Sequence, residues 1–158
     1  MLKAWLDDLG LLTCRPFFGD RDFLLALLLG MVFWLGVWLF APQLFPSLPR
    51  PGKAALLLSL IVWQPLLEEM LFRGVIQGQL RGARWGKVKW LGMSNANLLT
   101  SALFALSHLL YHTPLWALAV FAPSLIFGHL RDRYASIYPP LLLHFYYNAG
   151  YFLLGEVI

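Results

Sequence analysis

Residues 23–40 read FLLALLLGMVFWLGVWLF, eighteen positions without a charge, and the reading of this run decides the fold. A helix that crosses a bilayer needs roughly 20 mainly apolar residues, whereas the helix of a soluble domain keeps a polar face. The rest of the chain sides with the bilayer. Its 158 residues are 59% hydrophobic and 16% aromatic, with only 13% charged and a mean hydropathy of +0.67; soluble domains carry about 25% charged residues.

Four more runs of similar character are expected as spans at 54–80, 97–111, 114–130 and 139–154. Pro42, Pro46, Pro49, Pro51, Pro114, Pro139 and Pro140 sit at the joints, where a missing N–H and a fixed φ do least harm. Pro65 and Pro123 fall inside spans, where a kink is tolerated if neighbours satisfy the freed carbonyl. The expectation is an all-α polytopic transmembrane helix bundle of about five spans over residues 21–158, with its core at 54–154.

Residues 1–20 precede it as an amphipathic segment. Leu2, Trp5, Leu6, Leu9 and Leu12 recur at helical spacing with Asp7 and Asp8 off the stripe, as in a helix lying in the membrane interface. A removable signal peptide is not expected, because no basic stretch leads into an apolar core and a small-residue cleavage site. Cys14 is the only cysteine, so an internal disulfide is excluded.

With the N-terminus inside, Lys3, Arg15, Arg21, Arg81, Arg84, Lys87, Lys89, Arg131 and Arg133 fall on the cytoplasmic side, and Arg50 and Lys53 on the other. The positive-inside rule then predicts a cytoplasmic N-terminus and an outside C-terminus in a plasma (bacterial inner) membrane. The net charge of +4 is therefore topological. Nucleic acid is not expected as a partner, because the cations bracket spans and form no basic domain.

Ionisable groups inside spans mark functional sites by default. Here they are Glu68, Glu69, Arg73, His108, His129 and His144, with Asn148 as a polar companion. At about 1.5 Å per residue from the cytoplasmic ends, Glu68 lies about 18 Å deep, His108 about 16 Å, Asn148 about 12 Å and His144 about 6 Å. Glu69 and Arg73 are one turn apart and suit an internal ion pair. Glu68 projects about 100° away from Glu69. His144 and Asn148 share a face, as do Phe104 and His108. His129, beside Arg131, is expected at the interface. Gly74 and Gly78 are expected to permit close approach between membrane helices.

A carboxylate beside an imidazole in a dry cavity can activate water as a general base. A second His and an Asn that donate hydrogen bonds can stabilise an oxyanion. Together these are parts for hydrolysing an amide, and no G-x-S-x-G nucleophile motif is present. The chemical alternative is zinc held by His108, His144 and Glu68 with an open position, although H-E-x-x-H is absent. The bland alternatives are a self-satisfying Glu69–Arg73 pair and an Asn148 that joins helices.

At these residues a resemblance becomes specific. EEMLFR (68–73), FALSH (104–108) and HFYYN (144–148) resemble the E-E-x-x-x-R, F-x-x-x-H and H-x-x-x-N motifs of the CPBP family, also called the Abi or CAAX protease family. The resemblance implies a glutamic-type intramembrane endopeptidase; members of the family have also been described as metalloproteases, and water activation without a cofactor is the expectation here, from the ligand types zinc prefers. In such an enzyme Glu68 and His108 activate water, His144 and Asn148 form the oxyanion site, and Glu69 and Arg73 order the surroundings. The implied partners are the lipid bilayer and a membrane-anchored peptide or protein substrate, with CAAX-like or sorting-tail processing as the reaction. A membrane peptide-binding or immunity protein is the non-catalytic alternative.

Overall fold

A computed structural model describes residues 2–13, 15–46 and 52–155. Cys14, Pro49, Arg50 and Pro51 lie outside the described residues. Six helices carry the chain: α1 Leu2–Asp8, α2 Arg21–Phe40, α3 Lys53–Gly82, α4 Asn95–His108, α5 Pro114–Tyr134 and α6 Tyr138–Leu154. A small hairpin pairs β1 Lys89–Trp90 with β2 Met93–Ser94.

α2, α3 and α5 are long and apolar enough to cross a membrane. The other two expected spans are shorter. α4 has 14 residues, or about 21 Å, and α6 has 17, or about 26 Å, against an apolar bilayer thickness of about 30 Å. Length and composition thus carry three spans, and five remains an expectation. α4 ends at His108 instead of running on to the expected 111, while α5 continues past 130 to Tyr134.

The chain divides into two compact units, Met1–Arg15 with Glu68–Pro140, and Pro16–Leu67 with Leu141–Ile158. In the second unit, α2 buries only the stripe Phe23, Ala26, Gly30 and Trp34. Leu24, Leu25, Leu28 and Phe33 are among those left exposed, as suits side chains solvated by lipid. Asp20 caps α2 by accepting from the Asp22 N–H at 2.9 Å. α6 lies along the buried stripe: the Tyr147 hydroxyl donates to the Ala26 carbonyl at 2.8 Å, and its ring occupies the place a Cβ on Gly30 would take. Trp34 packs in turn on Tyr147, with ring centroids 5.1 Å apart, and against Gly150.

In the first unit α4 and α5 pack closely. The Asn97 amide rests on Gly128, where any Cβ would collide with it, and donates to the Leu125 carbonyl at 3.0 Å. α1 is a short helix, with Leu2 and Trp5 exposed and the following Leu9 buried. Gly74 and Gly78 are buried on α3. The backbone that approaches them is that of the N-terminal segment: the Asp8 carbonyl abuts Gly78, with the Arg131 side chain of α5 beside it, and Leu9 abuts Gly74.

α3 is not a regular α-helix. It widens to π-helix at Ser59–Trp63 and again at Met70–Ile76, and such bulges are frequent at functional sites. At the first, the Gln64 N–H bonds Ser59 O, which bypasses Leu60 O, and Pro65 has no N–H to offer. At the second, the Gln77 N–H bonds Phe72 O and bypasses Arg73 O. Each widening therefore leaves one carbonyl for a side chain to satisfy.

Candidate active site

The bypassed carbonyls explain two polar residues in the apolar interior. In the second unit the Asn148 Nδ2 amide donates to Leu60 O at 2.8 Å. In the first unit the Arg131 guanidinium donates from Nε to Arg73 O at 3.0 Å and from Nη2 to Asp8 O at 2.6 Å. Arg131 is wholly buried and lies in the last turn of α5, not in the connection that follows it. Its charge closes the π segment onto the N-terminal strand of chain, and a surface position would leave both carbonyls unmet.

Glu69 and Arg73 form the expected pair, Oε2 to Nε at 3.4 Å, with both side chains fully buried. The Arg73 Nη2 also donates to Ser124 Oγ at 2.9 Å and Ser124 O at 3.0 Å. Its guanidinium lies over the Phe104 ring at 4.8 Å and the Phe127 ring at 5.5 Å, an arrangement that stabilises a desolvated cation. Phe104 in turn touches Phe72 edge-on, with centroids 5.0 Å apart, and lies 4.6 Å from the His108 ring. The F-x-x-x-H spacing thus has a physical use: Phe104 links the buried guanidinium to the imidazole one turn on.

His108 is half-buried, and its Nδ1 lies 2.9 Å from Phe104 O. A carbonyl only accepts, so Nδ1 carries the proton, and in the neutral ring Nε2 holds the lone pair. Glu68 is also half-buried, unlike Glu69. Gln77 and Ser94 meet the same Asp132 carboxylate, whereas Phe72 meets Phe104 further along, so α3 and α4 run antiparallel. One more turn along each, from Phe72 back to Glu68 and from Phe104 on to His108, brings the glutamate and the imidazole to one level.

His144 is buried at 5% exposure and Asn148 is half-buried. Both belong to the second unit, whereas Glu68, Glu69, Arg73 and His108 belong to the first. His129 is half-buried within α5. Among the described residues no three His, Cys, Asp or Glu side chains cluster as a metal site.

Several buried polar residues were not singled out by the sequence. Gln77 is wholly buried and donates to Gly128 O at 2.8 Å and Asp132 Oδ1 at 3.0 Å. Asp132 also takes the Ser94 hydroxyl at 2.5 Å and pairs with Arg81 at 3.1 Å. Gln77 falls one turn after Arg73 and two after Glu69, and that continued spacing was the available signal.

The described residues thus form a largely helical membrane protein that buries a Glu–Arg pair in the same unit as a tautomer-fixed histidine. Residues 50–150 match the family described as type II CAAX prenyl endopeptidase Rce1-like. The chain belongs to that family, and it is an integral membrane protein. It is also 34% identical over 117 residues to an uncharacterized 24.3 kDa protein of Escherichia coli, a match that covers 74% of this chain and 52% of that protein. The chain thus spans about half the length of this curated relative. No solved structure matches it.

Proposed function

We propose that the chain is a glutamic-type intramembrane endopeptidase that cleaves a peptide bond of a membrane-anchored protein or peptide, in CAAX-like or sorting-tail processing. The observation that carries this reading is the His108 tautomer: with Nδ1–H held by Phe104 O at 2.9 Å, Nε2 is left as an acceptor at the level of Glu68. Glu68 takes a proton from water, His108 Nε2 orients that water, and the water oxygen adds to the scissile carbonyl carbon. The proton then passes to the amide nitrogen as the C–N bond breaks. His144 donates to the oxyanion, with the Asn148 amide hydrogen not committed to Leu60 O as the second donor. Glu69 and Arg73 keep α3 in the widened form that sets the facing of Glu68.

The water is activated without a metal in this proposal. Elemental analysis of active purified protein tests that point, and stoichiometric zinc would overturn it. Glu68→Gln keeps shape and removes the base; cleavage of a membrane-tethered peptide should fall at least about 100-fold, the scale of general base catalysis. A Glu68→Gln protein that retains biological activity would instead favour the peptide-binding role.

A further inference from the structure

Between α3 and α4 the β1–β2 hairpin pairs Lys89 with Ser94 and Trp90 with Met93. Its turn residues Leu91 and Gly92 have φ of 50° and 84°. Two left-handed residues define a hairpin turn whose first position ordinarily takes Asn, Asp or Gly. Leucine is disfavoured there, because in the left-handed region its Cβ crowds the following carbonyl. Nothing in the fold compensates, since Leu91 is 98% exposed. Trp90, Trp85 and Val88 are exposed beside it. An apolar tip is thus held out on a strained turn, an outlier of the kind that signals function.

Arg84, Lys87 and Lys89 precede the tip in the chain and are all exposed. Lys87 and Lys89, with Arg15 and Arg81, line a cavity of about 580 Å³ whose acids are Asp7, Asp8 and Asp132. Asp132 already accepts from Gln77, Ser94 and Arg81, so among the remaining lining charges Arg15, Lys87 and Lys89 outnumber Asp7 and Asp8. The hairpin follows a helix of membrane-spanning length by only a few residues. An exposed Trp and Leu backed by Lys and Arg is the chemistry of an interfacial anchor: the rings settle at headgroup level and the cations meet anionic lipid.

We propose that this hairpin is an anionic-phospholipid site, in which Trp90 and Leu91 enter the boundary between headgroups and acyl chains while Lys87 and Lys89 meet lipid phosphates at the cavity wall. The site is independent of the chemistry at Glu68, and its test reads lipid contact, not cleavage.

The experiment uses the full chain with Cys14→Ser and Leu91→Cys, labelled at position 91 with an environment-sensitive fluorophore. The protein is placed in phosphatidylcholine nanodiscs containing brominated phosphatidylglycerol or brominated phosphatidylcholine. The label should be quenched by brominated lipid, and more effectively by the anionic one. Lys87→Gln and Lys89→Gln should each lower that preference by about fivefold. A label quenched by aqueous iodide and blind to brominated lipid overturns the proposal, and is the outcome expected if the tip faces water as a docking point for a soluble protein. A preference unchanged in the double lysine variant also overturns it. Leu91→Asn suits the turn and should keep or raise the thermal midpoint in detergent; a lower midpoint would assign Leu91 to packing and defeat the proposal.

Discussion

At the scale of single residues, two adjacent glutamates have different fates. Glu69 is wholly buried and paired with Arg73, so removing either partner strands the other charge in the interior. Glu69→Ala and Arg73→Ala are each expected to cost about 3–5 kcal/mol, read as a lowered thermal midpoint in detergent or failure to accumulate. Glu68 is half-buried and should behave differently: Glu68→Gln and His108→Ala should abolish cleavage while the midpoint stays near that of the parent. If the two glutamates proved equally destabilising, the division of roles would fail. His112 offers a small pH effect. Its ring stacks on His108 at 5.8 Å, and burial first, then the charge of His108, lowers its pKa from 6.5. A base harder to protonate when folded destabilises the native state once the unfolded form takes up the proton. Stability should therefore decline as pH falls through about 6.5, and His112→Gln should flatten that limb of a pH series of thermal midpoints.

At the scale of elements, the π segments of α3 connect sequence to site. Pro65 and the polar residues around it look like liabilities in an apolar helix, yet each widened turn has a side chain that meets its bypassed carbonyl, Asn148 at Leu60 O and Arg131 at Arg73 O. Arg131→Met keeps much of the volume and removes both donors. Backbone amide exchange over 70–78 should accelerate, and stability should fall by roughly 1–3 kcal/mol. Unchanged exchange there would mean the π turn holds itself. Packing of α4 on α5 makes a separate prediction, because a Cβ at Gly128 has no room beside the Asn97 amide. Gly128→Ala should cost about 1–3 kcal/mol through overpacking, despite alanine's better helix propensity; a higher midpoint would show that the contact relaxes freely.

At the scale of the molecule, three helices meet the length for a span, whereas five hydrophobic runs are visible in the sequence. The ends report whether the number of crossings is odd, as three and five both are; the two counts differ at residues 109–113, which five spans place opposite the N-terminus and crossings by α2, α3 and α5 alone leave on its side, so an impermeant label there separates them. Either count requires opposite sides for the two termini, with the N-terminus expected inside by the distribution of Lys and Arg. Reporter fusions or impermeant cysteine labels at both ends should report opposite sides, and both ends on one side would mean an even number of crossings. Arg81, Arg84, Lys87 and Lys89 on one connection carry most of the expectation for the N-terminus.

The motifs, the helical class and the Glu69–Arg73 pair were legible because they rest on local rules: composition identifies the solvent as lipid, and a spacing of four residues on a helix is a distance in space. The buried stripe of α2 was not legible, since a run apolar on every side has no face until Tyr147 settles on Ala26 and Gly30. Nor was the burial of Arg131, which looked like a cation flanking a span. Its partners are main-chain carbonyls exposed by a π turn and by the end of α1, and only the packing of segments far apart in the chain brings those groups to it. Local pattern determined which residues are costly in a membrane; tertiary structure decided which carbonyl, ring or charge offsets each cost.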